Sequence, residues 1–268
     1  MAKQSARNLL IALSVKYSGD WTKMRDAISA KVYISQEEIQ ELINKVDEEC
    51  ITLVDDDFPR CLINSFQPPF VLYYKGNIRL LKERRLKLAV VGSRNNTPIG
   101  QKSIEYLVEQ TIKKEKDTVI VSGMARGIDG IAERTAMRNS ASIISVLGSG
   151  LDTCYPTQSK DIYEYSKTDN GLLITEYPKG VPPDGEHFPL RNRLISAMSH
   201  SVLIGEGTRN SGTNTMVKWA LTDGKDVLCV PCDIFSPNPL CIELIHEGAI
   251  CCVSEDDIIQ CLKGYKGP

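Results

Sequence analysis

From Leu88 onward the chain alternates short, apolar, β-rich runs with stretches of helical periodicity, and this alternation limits the fold more than any other feature. The runs are LAVVG (88–92), TVIVSG (118–123), SIISVLG (142–148), LLITEY (172–177), SVLIGE (201–206), DVLCVP (226–231) and AICCV (249–253). Between them lie amphipathic segments, as where Ile104, Leu107, Val108 and Ile112 recur at helical spacing. Strands apolar along their whole length are buried on both faces, and helices between them supply the cover. The pattern predicts an α/β fold, a doubly wound, mostly parallel sheet of about seven strands. No internal repeat or low-complexity segment interrupts it.

The first 60 residues read differently. Ser35 with Glu38 forms a capping box, and Ile39, Leu42, Ile43 and Val46 then mark one helical face. We expect a small N-terminal helical module over 1–60 and a sheet domain over 61–268. Residues 36–57 carry nine acids against Lys45 alone, a net of −8. Residues 75–102 reverse this, with eight basic groups against Glu83, a net of +7. The two blocks either attract one another or leave the basic one to face an anion. Between them FPRCLINSFQPPFVLYYKGN (58–77) is a proline-punctuated connector ending in the strand-like FVLYY.

Over the whole chain, 32 Lys and Arg stand against 34 Asp and Glu, a net of −2. That excludes a polybasic, histone-like protein, so any nucleic-acid contact must come from a local patch. No apolar run approaches the roughly 20 residues of a membrane helix. The opening MAKQSARNLLIALSVKYSGD alternates apolar with polar residues and reads as a helix, not a signal peptide. Nine cysteines cannot all pair within one chain, and Cys229, Cys251 and Cys252 sit in apolar runs as small hydrophobes. A reducing, cytoplasmic setting is expected.

In a sheet of this kind ligands bind outside the carboxyl ends of the strands. Here those ends are rich in glycine and hydroxyl groups. The first reads Gly92-Ser93-Arg94-Asn95-Asn96-Thr97-Pro98, with Pro98 at a helix start, and the second Ser122-Gly123-Met124-Ala125-Arg126-Gly127-Ile128-Asp129. The third reads Gly148-Ser149-Gly150-Leu151-Asp152, with Tyr155 and Pro156 beyond; a later loop carries Ser211-Gly212-Thr213-Asn214-Thr215. Glycine admits close backbone approach, and free N–H groups at a helix start favour an anion. Ser93, Thr97, Ser211 and Thr213 add hydroxyl donors, while Arg94 and Arg126 can fork onto a phosphate. Taken alone, each loop can also be a tight turn or helix cap.

Other chemistries find less support. GSRNNTPIG is not GxGxxG, GSGLDT lacks the third glycine, and no GxxxxGK[ST] occurs, so neither a dinucleotide cofactor nor a P-loop is expected. His187, His200 and His246 lack paired metal spacing, and Cys229 with Cys232 is a lone CxxC; no metal is expected. No nucleophilic triad stands out. HFPLRNR places Arg191 and Arg193 around Asn192 near a helix start, where they either clamp a strand's backbone or brace loops through acidic partners.

These motifs, in this order, resemble the DNA-processing protein A family, also called Smf, the recombination mediators of natural transformation in competent bacteria. The carriers are FPRCL, PPFVLYYKGN, VGSR, VSGMARGID, SVLGSGLDTCYP, GLLITEYP, HFPLRNRLIS and NSGTNTM, with a fading match through VPCDI and LIHEGA. The resemblance implies an extended Rossmann-like domain that binds single-stranded DNA and helps load a RecA-type recombinase, acts as a homodimer and turns over no substrate. It also implies a DNA pocket of Gly92, Ser93, Arg94, Gly123, Arg126, Gly127, Asp129, Arg191, Asn192, Arg193, Ser211 and Gly212. Tyr155 and Phe188, near these loops, either stack bases or serve as packing residues. The loop chemistry adds Thr97, Gly148, Gly150 and Thr213 to that set.

The chain departs from the family pattern at Glu133, where His is usual, at Thr157 and Ser159 after Tyr155-Pro156, and at Cys232, where glycine is expected. A lost cation and a gained acid beside the pocket should weaken phosphate binding. With 268 residues ending soon after the last expected strand and helix, the winged-helix module some members carry is not expected within this sequence. Two other readings remain. Relatives in the same superfamily resembling the cytokinin-activating phosphoribohydrolases cleave nucleoside monophosphates with an Arg and a Glu; Glu133 and Glu206 motivate that alternative. A third reading is an interaction protein whose pocket has decayed.

Overall fold

The computed structural model describes residues 2–82 and 85–264; Glu83 and Arg84 of the basic block and the 265–268 tail lie outside the described residues. Nine strands make one sheet: β1 (Glu49–Thr52), β2 (Val71–Gly76), β3 (Lys87–Val91), β4 (Val119–Ser122), β5 (Ser142–Val146), β6 (Gly171–Thr175), β7 (Ser201–Ile204), β8 (Asp226–Cys229) and β9 (Ile250–Cys251). Their spatial order is β1-β2-β6-β5-β4-β3-β7-β8-β9. Seven of them, β3 to β9, fall in the apolar runs and pair in parallel. FVLYY supplies β2, which runs antiparallel to β6.

β1 is the departure from expectation. Residues 1–60 are not helical throughout, because Glu49 to Thr52 pair antiparallel with Tyr74 to Val71. Only Ile51 and Thr52 of this edge strand are buried, so no long apolar run betrays it. The chain thus passes residue 60 between two neighbours of one sheet.

Twelve α-helices are present among the described residues. In chain order they are α1 (Ala2–Lys16), α2 (Trp21–Ser29), α3 (Gln36–Ile43), α4 (Arg60–Ile63), α5 (Arg79–Lys82), α6 (Pro98–Lys114), α7 (Ile128–Arg138), α8 (Lys160–Tyr165), α9 (His187–Met198), α10 (Gly212–Thr222), α11 (Leu240–His246) and α12 (Glu255–Gly264). The pleat sends Leu88 and Val90 to one apolar cluster and Ala89 and Val91 to the other. The first cluster holds Leu13 of α1, Ile39 of α3, Ile104 of α6, Ile128 of α7 and Ile258 of α12. The second holds Leu62 of α4, Leu194 of α9, Met216 of α10 and Leu240 of α11. Helices therefore cover both faces, and the N-terminal helices share their core with the sheet. Among the described residues no helix is long and apolar enough to cross a membrane.

Local signals hold where the backbone needs them. Ser35 accepts from the Glu38 N–H at 3.2 Å, but the Glu38 carboxylate turns to Lys16 at 2.7 Å and leaves the box half formed. Acidic and basic blocks meet at Glu48 and Lys75, 3.9 Å apart. Most other partners of the acids come from elsewhere: Arg7 for Asp55, Lys3 for Asp56 and Lys179 for Asp47. Cys229 lies in the core as expected, whereas Cys251 is exposed on the two-residue edge strand β9.

The chain runs β3 to β6 outward on one side of β3, then crosses back to place β7, β8 and β9 on the other. Loops leaving β3 and β7 consequently diverge, and the crevice between them is where such a sheet receives a ligand.

Candidate nucleic-acid interface

An open cleft of about 730 Å³ occupies that crevice. It brings together Gly92, Ser93 and Arg94 after β3, Asp129 of α7, Arg191 and Asn192 of α9, and Ser211, Gly212 and Thr213 where α10 begins. A small hollow of about 40 Å³ shares Arg94 and Arg191 with the cleft and adds Gly123 and Arg126. Thus loops more than a hundred residues apart in sequence converge on one place.

The floor is a buried charged group. Arg191 is 4% exposed and donates from Nη1 to the Gly123 carbonyl at 2.9 Å and to the Val146 carbonyl. Its Nε has no partner among the described residues. Asp129 is 6% exposed and accepts from the Gly92 N–H at 3.3 Å. Burial raises the Asp129 pKa, and the neighbouring Arg191 opposes that rise. Burial likewise lowers the Arg191 pKa from its usual height. Gly123 is required because a Cβ there would fall on the Arg191 guanidinium. Gly127, at φ +76°, starts α7 against the Ser93 carbonyl, which accepts the Ile128 N–H at 3.2 Å.

The rim is exposed and carries Arg94 and Arg126, with Asp184 as an acid in the same lining. Arg94 and Arg126 are exposed and have no ion-pair partner among the described residues. The Arg94 guanidinium lies 5.4 Å from the Phe188 ring centroid, and Phe188 stacks on Tyr155 at 5.7 Å and 22°. α10 enters the cleft with Ser211 as its N-cap and no side-chain cap bond, so its first N–H groups lack a side-chain acceptor. Cation, helix start and paired rings can together hold a phosphate and a flat, unpaired base.

Several sequence candidates lie outside the cleft lining. Arg193 is 3% exposed and forks onto Glu176 at 2.5 and 2.6 Å, which is the bracing role left open for this pair. Thr97 caps α6, accepting from the Gly100 N–H at 3.0 Å and donating to Glu206 at 2.5 Å. Gly148 packs against Phe188 and His187, and Gly150 donates to the Val181 carbonyl at 2.9 Å. They shape the loops behind the lining.

Sequence reading missed Asn238. It lines the cleft at 6% exposure, and its Nδ2 donates to the Asn95 carbonyl and to Glu206, both at 3.1 Å. Glu206 also accepts from the Thr97 N–H at 2.8 Å, so its carboxylate is engaged at the start of α6. Cys232 donates its thiol to the Asn238 carbonyl at 3.9 Å.

Glu133 corrects an expectation. It is fully buried, accepts from the Met124 N–H at 3.1 Å, and shares a 2.6 Å hydrogen bond with Ser145. Burial pushes its pKa up to about 8, so at neutral pH the protonated, uncharged form predominates.

Fold and site define a class: α/β proteins with an arginine-bearing cleft at the switch point of a parallel sheet, extended here by two strands paired antiparallel. Within that class, the chain belongs to the DNA recombination-mediator protein A family, whose profile matches residues 49–263. It is 37% identical over 209 residues to DNA processing protein DprA of Streptococcus pneumoniae, covering 78% of this chain and 72% of that one. It is 33% identical over 213 residues to DNA processing protein DprA of Bacillus subtilis, covering 78% and 70%. The X-ray structure of the Streptococcus pneumoniae protein superposes with a TM-score of 0.78 at 32% identity, over 96% of this chain and 95% of that one. DNA processing protein A from Helicobacter pylori, solved for its single-stranded DNA binding mode, gives a TM-score of 0.71 at 29% identity, over 82% and 98%. The expected extended Rossmann-like fold follows from these likenesses.

Proposed function

We propose that this chain binds single-stranded DNA in the cleft between the β3 and β7 loops and so helps to load a RecA-type recombinase. One observation carries the reading. The unpaired Arg94 guanidinium stands over Phe188, which itself stacks on Tyr155, so a backbone charge and an unstacked base find partners side by side. Duplex DNA keeps its bases stacked inside and cannot use the rings. The binding mode studied in the Helicobacter pylori relative supports the same ligand here.

Gly92, Ser93, Arg126, Asn192, Gly212 and Thr213 complete the phosphate contacts in this reading, with Arg191 and Asp129 setting the floor. Every cleft-lining residue comes from 61–268, which we take, with β1 added to its sheet, as the DNA-processing unit, the helices before β1 packing against it. The chain acts without cofactor, as a homodimer, in the cytoplasm and without substrate turnover. Glu206 and Glu133, the acids that motivated a nucleotide hydrolase, are both buried in hydrogen bonds to other protein groups.

Fluorescence anisotropy of labelled oligo-dT at low and moderate salt, with duplex competitor, tests the reading. Salt-sensitive binding that prefers the single strand is the expected result. Absence of binding at low salt would overturn it.

A further inference from the structure

Next to the cleft lies an aromatic pair that the phosphate site does not use. Trp219, on α10, donates its indole N–H to the carbonyl of Pro189 at 3.1 Å, and Pro189 lines the cleft. The Trp219 ring contacts Phe66, with centroids 6.4 Å apart and planes tilted by 42°. Phe66 lies just beyond α4, two residues before Pro68, and is 69% exposed. A large ring held this far into water, against a fixed indole, has a face open to a ligand.

From this geometry we infer that Phe66, braced by Trp219, is a second base-stacking platform for a strand whose phosphate sits in the cleft. The inference rests on the single-strand reading and names where the strand goes next. α10 starts in the cleft at Gly212 and reaches Trp219 two turns later, about 10.5 Å along the helix. At about 3.4 Å per nucleotide in a stacked strand, the rise from Gly212 to Trp219 matches about three nucleotides, and Phe66 lies one ring contact beyond.

Two cations neighbour the pair in sequence. Lys218, beside Trp219, and Arg60, at the start of α4, are both exposed and have no ion-pair partner among the described residues. A protein interface core favours apolar rings but is depleted of unpaired lysine. A single strand wants cations along its backbone and rings for its bases. The stacking contact is indifferent to sequence, because every base presents a π-face.

The chain has two tryptophans, Trp21 and Trp219, so Trp21→Phe in the full chain leaves Trp219 as the reporter. Two probes are compared: oligo-dT of about ten nucleotides, within the usual range of single-strand site sizes, and an abasic strand of equal length. The platform predicts that oligo-dT quenches Trp219 emission and the abasic strand does not. It also predicts that Phe66→Ala lowers oligo-dT affinity about tenfold while leaving abasic affinity unchanged. Oligo-dT binding with unchanged Trp219 emission and no effect of Phe66→Ala would overturn the platform and leave the cleft reading standing. If Phe66→Ala instead changes only the mass of the assembly in light scattering, the face is a protein interface and the platform is wrong. No binding of either probe at low salt removes both readings together.

Discussion

Arg193 grips Glu176 through both terminal nitrogens, with the two side chains 3% and 8% exposed. The pair ties α9 to the end of β6, just behind the cleft. Removing one partner leaves the other charge buried alone, which costs about 3–5 kcal/mol. Arg193→Ala should therefore lower the urea midpoint strongly. The fraction that stays folded should retain its affinity for oligo-dT; a loss of affinity with no loss of stability would contradict this assignment.

Arg94→Ala should behave in the opposite way. The side chain is exposed and has no ion-pair partner among the described residues, and its contact with Phe188 is worth about 0.5–1 kcal/mol, so the thermal midpoint should fall by only a few degrees. Affinity for a single strand should fall for every sequence alike, because phosphate contacts carry no base information. The slope of log affinity against log salt should shrink by about 0.7, the share of one phosphate on a single strand. An unchanged slope would place the phosphate elsewhere.

Glu133 predicts a pH dependence of stability. Its ordinary pKa is 4.5, and in the fold it stands at about 8. Between those values the folded chain holds a proton that the unfolded chain has lost. Stability from this site is thus fully present below pH 4.5 and drains away as pH rises towards about 8. Glu133→Gln keeps an acceptor for the Met124 N–H and cannot ionise. Denaturant titrations at several pH values should show a flatter profile for the variant; parallel profiles would show that Glu133 is not the group responsible.

Two glycines separate folding from binding. Gly123→Ala puts a methyl onto the Arg191 guanidinium and should cost about 1–3 kcal/mol of stability. At Gly212 a Cβ meets nothing within 4 Å, so Gly212→Ala should fold normally. It nevertheless crowds the anion at the start of α10, and weakened oligo-dT binding is expected. Normal affinity in Gly212→Ala would move the strand away from that helix.

Much of this was legible in the sequence, for a physical reason. A strand buried on both faces must be largely apolar, so β3 to β8 stand out as apolar runs, and β3, β4, β5 and β7 lead into glycine-bearing loops. β1 did not stand out, because an edge strand with polar Glu49 and Thr52 leaves no such run. Arg191 and Arg193 looked equivalent in HFPLRNR. Two residues apart on α9, they face different ways, one into the cleft and one onto Glu176. Asn238 could not be read at all, since its partner Asn95 lies 143 residues away.

That last bond has a dynamic consequence. Asn238 holds the Asn95 carbonyl and Glu206, and Glu206 in turn anchors Thr97 at the start of α6. The loop after β8 therefore cannot lift without loosening the first turn of α6. Amide hydrogens at Thr97 and Gly100 should exchange through the same opening that frees Asn238, although more than a hundred residues of chain separate them. A ligand seated in the cleft would then slow that exchange at both places at once.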